Sequence, residues 1–253
     1  MTRIVCVASG KGGVGKTTVV ANLATALTDL NQNVIVIDSN MHTSNLGLHL
    51  GIPLYPVTLQ DVLKGKAKIK DALYHHPNGF RVIPADISLA KRMTVKPNQL
   101  MSVIYKLIGD PDFIIIDTMA GLGQEALTAI EVADEMITVT NPELSALTDA
   151  FKLNKIADEV QTHNLGVVIN RVKNEDHEFS IDGVKEFLNI PVLGVVHEDK
   201  LVRRSISNKE PVTSFKPNSK PSKEFMALAK TLVTGKTHKP KYGFSEKFLS
   251  WLK

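Results

Sequence analysis

The sequence predicts an α/β fold, a mainly parallel sheet with helices on both faces. Short runs rich in Val and Ile alternate with stretches of helical spacing, which is the pattern of βαβ units whose strands are covered on both sides. A glycine-rich segment, Gly10 to Thr18, falls between the first such strand and the first helix. The 253 residues, 43% hydrophobic and 22% charged, suit one large folded domain rather than a disordered chain.

The strands expected in chain order are Arg3 to Ala8, Val34 to Asp38, Phe80 to Pro84, Phe113 to Asp117, Met136 to Thr140, Gly166 to Asn170 and Val192 to Val196. Each is a short apolar run bounded by polar or turn residues, and the seven fit one sheet. Helical spacing runs over Thr18 to Leu30, Pro97 to Ile108, Gln124 to Val132, Glu143 to Thr162, Asp182 to Leu188 and Ser222 to Val233. Residues 1–233 form the expected main domain. Residues 234–241 are basic and broken by Gly235 and Pro240, the composition of a linker, and 242–253 turn apolar and aromatic again.

Gly10-Lys11-Gly12-Gly13-Val14-Gly15-Lys16-Thr17-Thr18 satisfies the phosphate-loop pattern of Gly, four residues, then Gly-Lys-Ser/Thr. Background composition yields that pattern in a chain of this length on the order of 1% of the time. Its glycines let successive N–H groups converge on phosphates, and the next helix adds the positive end of its dipole. Lys16 is expected to neutralise the β- and γ-phosphates, and the Thr17 hydroxyl to ligate Mg²⁺. Asp117 ends the apolar strand Phe113 to Asp117 and is the expected acid of the metal shell. The fold class is therefore that of phosphate-loop NTPases, and ATP with Mg²⁺ the expected ligand.

Lys11 adds a second lysine at the start of the loop, and Lys11 to Thr18 resembles the deviant phosphate loop of the MinD/ParA family of ATPases. Asp38 to Leu46 resembles that family's first switch, Asp117 to Gly121 its second, and Thr140 to Glu143 its strand-to-helix turn. Asn170-Arg171 resembles its adenine-reading turn, and Glu198-Asp199 with Glu210 to Val212 its late nucleotide-side loop. The resemblance implies a homodimer closed around two ATP molecules, with Lys11 reaching across to the partner's phosphates as an arginine finger does. It further implies Asp38 near the metal and Gly121, Asn170, Arg171, Glu198 and Asp199 on the nucleotide. Three positions depart from the family: Asn40 stands where a second aspartate is usual, and Met119 and His197 where proline is usual. An amide orients water but accepts no proton from it, so slow hydrolysis is expected, with Lys11, Lys16, Asp38 and Asn40 as the catalytic set.

On a helix, Phe244, Phe248, Leu249, Trp251 and Leu252 fall within an arc of roughly 160°, with lysines at its border. That is the pattern of an interfacial helix, and the MinD branch of the family carries a membrane-targeting helix of this character. From Thr234 onward five lysines face one acid, which leaves the rest of the chain with 25 basic and 25 acidic residues. A neutral body argues against a nucleic-acid footprint and a basic tail favours an anionic membrane surface. The expected protein is cytoplasmic, reversibly peripheral on the inner face of the cell membrane, and positions a division protein or other unidentified protein partner. Two alternatives stand beside it: an ATP-binding membrane scaffold that scarcely hydrolyses, and a DNA- or cargo-positioning ATPase of the ParA kind. The single cysteine, Cys6, lies in an apolar strand and is expected to be a buried hydrophobe, and His75 and His76 are expected in a solvated loop.

Overall fold

The structure is a computed structural model that describes residues 1–42, 44–52, 55–86 and 95–239. Its strands are β1 (Arg3–Ala8), β2 (Val34–Asp38), β3 (Tyr74–His75), β4 (Arg81–Ile83), β5 (Phe113–Asp117), β6 (Glu135–Thr140), β7 (His163–Val172) and β8 (Val192–His197). They form one sheet in the order β3-β4-β2-β5-β1-β6-β7-β8, parallel throughout except for β3 against β4. The helices are α1 (Lys16–Asp29), α2 (Leu46–His49), α3 (Leu59–Leu63), α4 (Pro97–Ile104), α5 (Gln124–Glu131), α6 (Leu144–Glu159), α7 (Ile181–Leu188), α8 (Lys200–Ser207), α9 (Val212–Phe215) and α10 (Lys220–Thr234).

Strand alternation divides the core in two. Val5, Val7, Val34, Val36, Phe113 and Ile115 join the apolar faces of α1 and α10, whereas Ile4, Cys6, Ile35, Ile37, Ile114 and Ile116 join α4 and α5. Every one of these side chains is at least 95% buried, so neither face of the central sheet meets water. Cys6 is fully buried as expected, and burial pushes its thiol pKa up.

Of the seven expected strands, Arg3–Ala8, Val34–Asp38 and Phe113–Asp117 fall on the same residues, and the others shift at their ends. An eighth, β3, is two residues at the sheet edge, too short to show a period. His75 is exposed in that strand, but His76 is not a solvated histidine. It is buried, its Nδ1 accepts from the Asn78 N–H at 3.2 Å, and its Nε2 donates to the Leu50 carbonyl at 3.1 Å. Its ring stacks on Phe80, and burial pushes its pKa down. The last helix runs one residue past Val233 and ends at Gly235, whose left-handed φ of 67° closes the turn.

Candidate functional site

The parallel register brings β1, β2 and β5 to a common carboxyl edge, where Asp38 pairs with Asp117 and Asp117 with Val7. There the chain leaves β1 through Ser9 to Gly15 and enters α1 at Lys16. Gly13 and Gly15 have φ of 82° and 93°, the left-handed region that favours glycine. A Cβ on Gly15 would lie 2.2 Å from Asn170 Nδ2, whereas one on Gly12 or Gly13 would meet nothing within 4 Å. The loop is thus backed by Asn170, which donates from Nδ2 to the Val14 carbonyl at 2.7 Å, and open where Gly12 and Gly13 face the cavity.

Lys16 Nζ donates to Asp117 Oδ1 at 2.8 Å, with both side chains buried. Asp38 lies beside this pair, accepting from Ser44 Oγ at 2.6 Å and the Asn40 N–H at 3.0 Å. Burial first, and then the neighbouring Asp117, push its pKa up to about 7, against those two hydrogen bonds and the Lys16 charge. One lysine faces two carboxylates, so the ionised cluster carries an excess negative charge. No group of three or more His, Cys, Asp or Glu side chains with metal-holding geometry occurs among the described residues. A divalent cation here would draw on Asp38, Asp117, the Thr17 hydroxyl, water and phosphate oxygens, and Mg²⁺ favours such a mixed shell.

A cavity of about 370 Å³ opens above the loop, lined by Gly12 through Thr18 and by Asn40, His49, Met119, Arg171 and Ile206. A smaller one adjoins it, sharing Thr18, Arg171 and Ile206 and adding Asn170, His197, Glu198 and Asp199. Arg171, at φ 57°, bulges out of β7 with its Nε 3.8 Å from Glu198 Oε2, and Asp199 caps α8 by accepting from the Leu201 N–H at 2.7 Å.

Besides Asp38 and Asp117, three expected residues stand off the cavity wall. Gly10 is pressed against Asp149, where a Cβ would come within 2.3 Å of the carbonyl oxygen. Gly121 donates its N–H to the Ser9 carbonyl, which joins the two loops behind the wall. Lys11 turns away, donating from Nζ to Ser145 Oγ at 2.8 Å, with Glu143 Oε2 at 3.6 Å. Phe244, Phe248, Leu249, Trp251 and Leu252 lie outside the described residues. Sequence reasoning missed His49 and Ile206 on the cavity wall and Ser44 on Asp38. Ser44 lies within the first-switch stretch but was not singled out there; His49 and Ile206 belong to no motif, and only the short α2 and α8, invisible as periodic runs, bring them there.

A glycine-rich loop joining β1 to α1, a lysine and two aspartates at the sheet's carboxyl edge, and an open cavity above them define a phosphate-loop nucleotide-binding domain. The chain belongs to the CobQ/CobB/MinD/ParA nucleotide binding domain family, whose model matches residues 5–212. It is 41% identical to an uncharacterised ATP-binding protein of Methanocaldococcus jannaschii, over 100% of this chain and 97% of that one. The structure superposes on the septum site-determining protein MinD of Pyrococcus horikoshii, solved with Mg-ADP, with a TM-score of 0.89, 36% identity and coverage of 92% and 97% of the two chains. MinD from the MinC:MinD complex of Aquifex aeolicus follows at a TM-score of 0.84 and 26% identity, over 95% of this chain and 100% of that one. The expected fold class and the family resemblance are both borne out.

Proposed function

We propose that this protein is a Mg-ATP-dependent dimerising ATPase of the MinD type, which associates with membrane through residues 242–253 and positions a protein partner there. The observation that carries the reading is the buried Lys16, Asp117 and Asp38 cluster beneath a loop with open space at Gly12 and Gly13. Phosphate oxygens would take the loop N–H groups and Lys16 as donors, while Thr17, Asp38 and Asp117 would hold Mg²⁺, which supplies charge stabilisation for phosphoryl transfer. The other wall, with Asn170, Arg171, Glu198 and Asp199, would take the base and ribose.

Lys11 supports the dimer reading by its position. A lysine in the loop that points off its own cavity toward the start of α6, held there by the Ser145 hydroxyl and beside Glu143, is placed to exchange these exposed contacts for a partner's phosphate. Residues 1–233 then act as the ATPase domain, 234–241 as a basic linker and 242–253 as an amphipathic helix. Interfacial burial of a few large side chains is offset by the ordering of a dozen residues at on the order of 1 kcal/mol each, so one tail binds weakly. Two tails on an ATP-held dimer gain by roughly 10²-fold through effective concentration, which links nucleotide state to membrane residence. Co-sedimentation with anionic liposomes tests this: binding should appear with ATP, fall with ADP, and vanish on deleting Tyr242 to Lys253. Equal binding with ATP and ADP overturns the switch.

Asn40 favours a second reading, a scaffold that binds ATP but turns it over slowly. It lines the cavity and carries an amide where the family usually has a carboxylate. Single-turnover phosphate release with lipid present separates the two.

A further inference from the structure

His49 stands on the wall of the large cavity above the phosphate loop. Asn45 precedes α2 and His49 ends it one turn later, and both line the cavity together with Lys16, Thr17 and Asn40. The His49 ring feels both charges at the cavity floor: burial pushes its pKa down, Asp117 opposes the fall and Lys16 adds to it. With a pKa below the ordinary histidine value the ring is neutral at pH 8 and keeps one nitrogen with a lone pair. Among the described residues no hydrogen bond engages either nitrogen. His76, by contrast, uses both of its nitrogens on backbone groups.

The other side chains on this wall offer no proton acceptor. Lys16 and Arg171 are cations, and the serine, threonine and asparagine side chains do not ionise. Asp38 and Asp117 lie below the loop, where Asp117 pairs with Lys16 and Asp38 accepts from Ser44. We propose that His49 is the catalytic base of hydrolysis, accepting from the attacking water the proton that the Asn40 amide cannot take. The inference rests on the nucleotide reading above. The water oxygen bonds to the γ-phosphorus, and the bond from that phosphorus to the bridging oxygen breaks with its electron pair leaving on ADP. One water proton passes to the imidazole, which releases it to solvent before the next turnover. Anionic phosphates in the cavity draw the pKa of the ring back up, toward the range where a base works best, so the rate should fall on the acid side as the ring protonates.

The test is single-turnover hydrolysis of Mg-ATP by the full chain with lipid, from about pH 5.5 to 8.5, repeated on His49→Gln, with calorimetric ATP titration and thermal unfolding of both. Removing a general base costs about 10²–10⁴-fold in rate. At pH 8 His49→Gln should lose about 10²-fold in rate, and the acid limb with it, while ATP affinity stays within about threefold. In the Asn40→Asp background, where a carboxylate is again on the wall, the same substitution should cost less than about tenfold. Should His49→Gln not fold, His49→Ala replaces it, a residue that favours a helix, and added imidazole should restore its rate by about tenfold or more. A folded variant that keeps the rate or the acid limb, an equal loss in both backgrounds, or no restoration by imidazole overturns the inference alone. An unaltered chain that binds ATP but does not hydrolyse it overturns the base and leaves nucleotide binding standing, and one that binds no ATP overturns the nucleotide reading with it.

Discussion

Seven consecutive residues, Gly12 to Thr18, line the proposed phosphate end of the cavity, whereas the proposed base end draws Asn170, Arg171, His197 and Ile206 from two strands and a helix. The phosphate end works through backbone: glycine conformations, amide N–H groups and the start of α1. The base end works through side chains held by distant partners, Asn170 by the Val14 carbonyl and His197 by Glu224. A backbone device tolerates little substitution, because its geometry is spread over every peptide in the loop. Single side chains at the base end should instead tune preference in steps of one hydrogen bond.

The largest expected effect is that of Lys16→Ala. Lys16 is 7% exposed and its removal leaves Asp117 and Asp38 buried side by side without a cation. Breaking a buried pair from one side costs about 3–5 kcal/mol, so the variant should unfold at lower temperature as well as lose ATP binding. Calorimetry and thermal unfolding check both, and a variant that keeps ATP affinity refutes the phosphate end as described. Asn40→Asp comes next and acts in the opposite sense. Adding a carboxylate that can place and polarise water should raise turnover by about 10²-fold, the lower end of what a general base contributes. Steady-state rates with lipid decide it, and equal rates make Asn40 a neutral variation.

This contrast also explains what could be read from the sequence. Gly10 to Thr18 and the strands ending at Asp38 and Asp117 were legible because a contiguous motif and an uninterrupted apolar run need no partner to be recognised. Asn170, Arg171, Glu198 and Asp199 came from family resemblance alone, and the structure gathers them on one wall. The His197 and Glu224 contact was not legible: 27 residues separate them, and each alone looks like a surface polar residue. His76 failed for the same reason, since its burial depends on Leu50 and Phe80 closing over it. The burial of Lys16 was not legible either, because it depends on the register that pairs β1 with β5 and brings Asp117 under it.

Gly15→Ala should have an intermediate effect. The added Cβ meets Asn170 Nδ2 and the residue must keep a φ of 93°, a conformation that costs a non-glycine residue about 1–3 kcal/mol. ATP affinity should fall by about tenfold or more. Gly12→Ala, whose Cβ meets nothing within 4 Å, should leave thermal stability unchanged and affect only ligand binding. If the two variants lose stability equally, the loop is not backed by Asn170 as the structure has it.

The smallest effect belongs to the joint between the two ends. Asn170→Ala removes the 2.7 Å bond to the Val14 carbonyl, which ordinarily costs about 1 kcal/mol. The Asn141 amide, turned so that its nitrogen donates, also reaches the Val14 carbonyl at 3.2 Å, so the acceptor is not left bare and the loss should be smaller still. The informative measurement is therefore the double variant. Asn170→Ala also clears the atom that a Cβ on Gly15 would strike, so part of the Gly15→Ala penalty should disappear in its background while the part due to φ remains. Residues in contact show coupling of about 0.5–3 kcal/mol in such cycles, and those that act separately add. Thermal unfolding of the four proteins gives that coupling directly. Strict additivity would mean that the phosphate loop stands without the base-end wall, and that the two regions differ in construction but do not support one another.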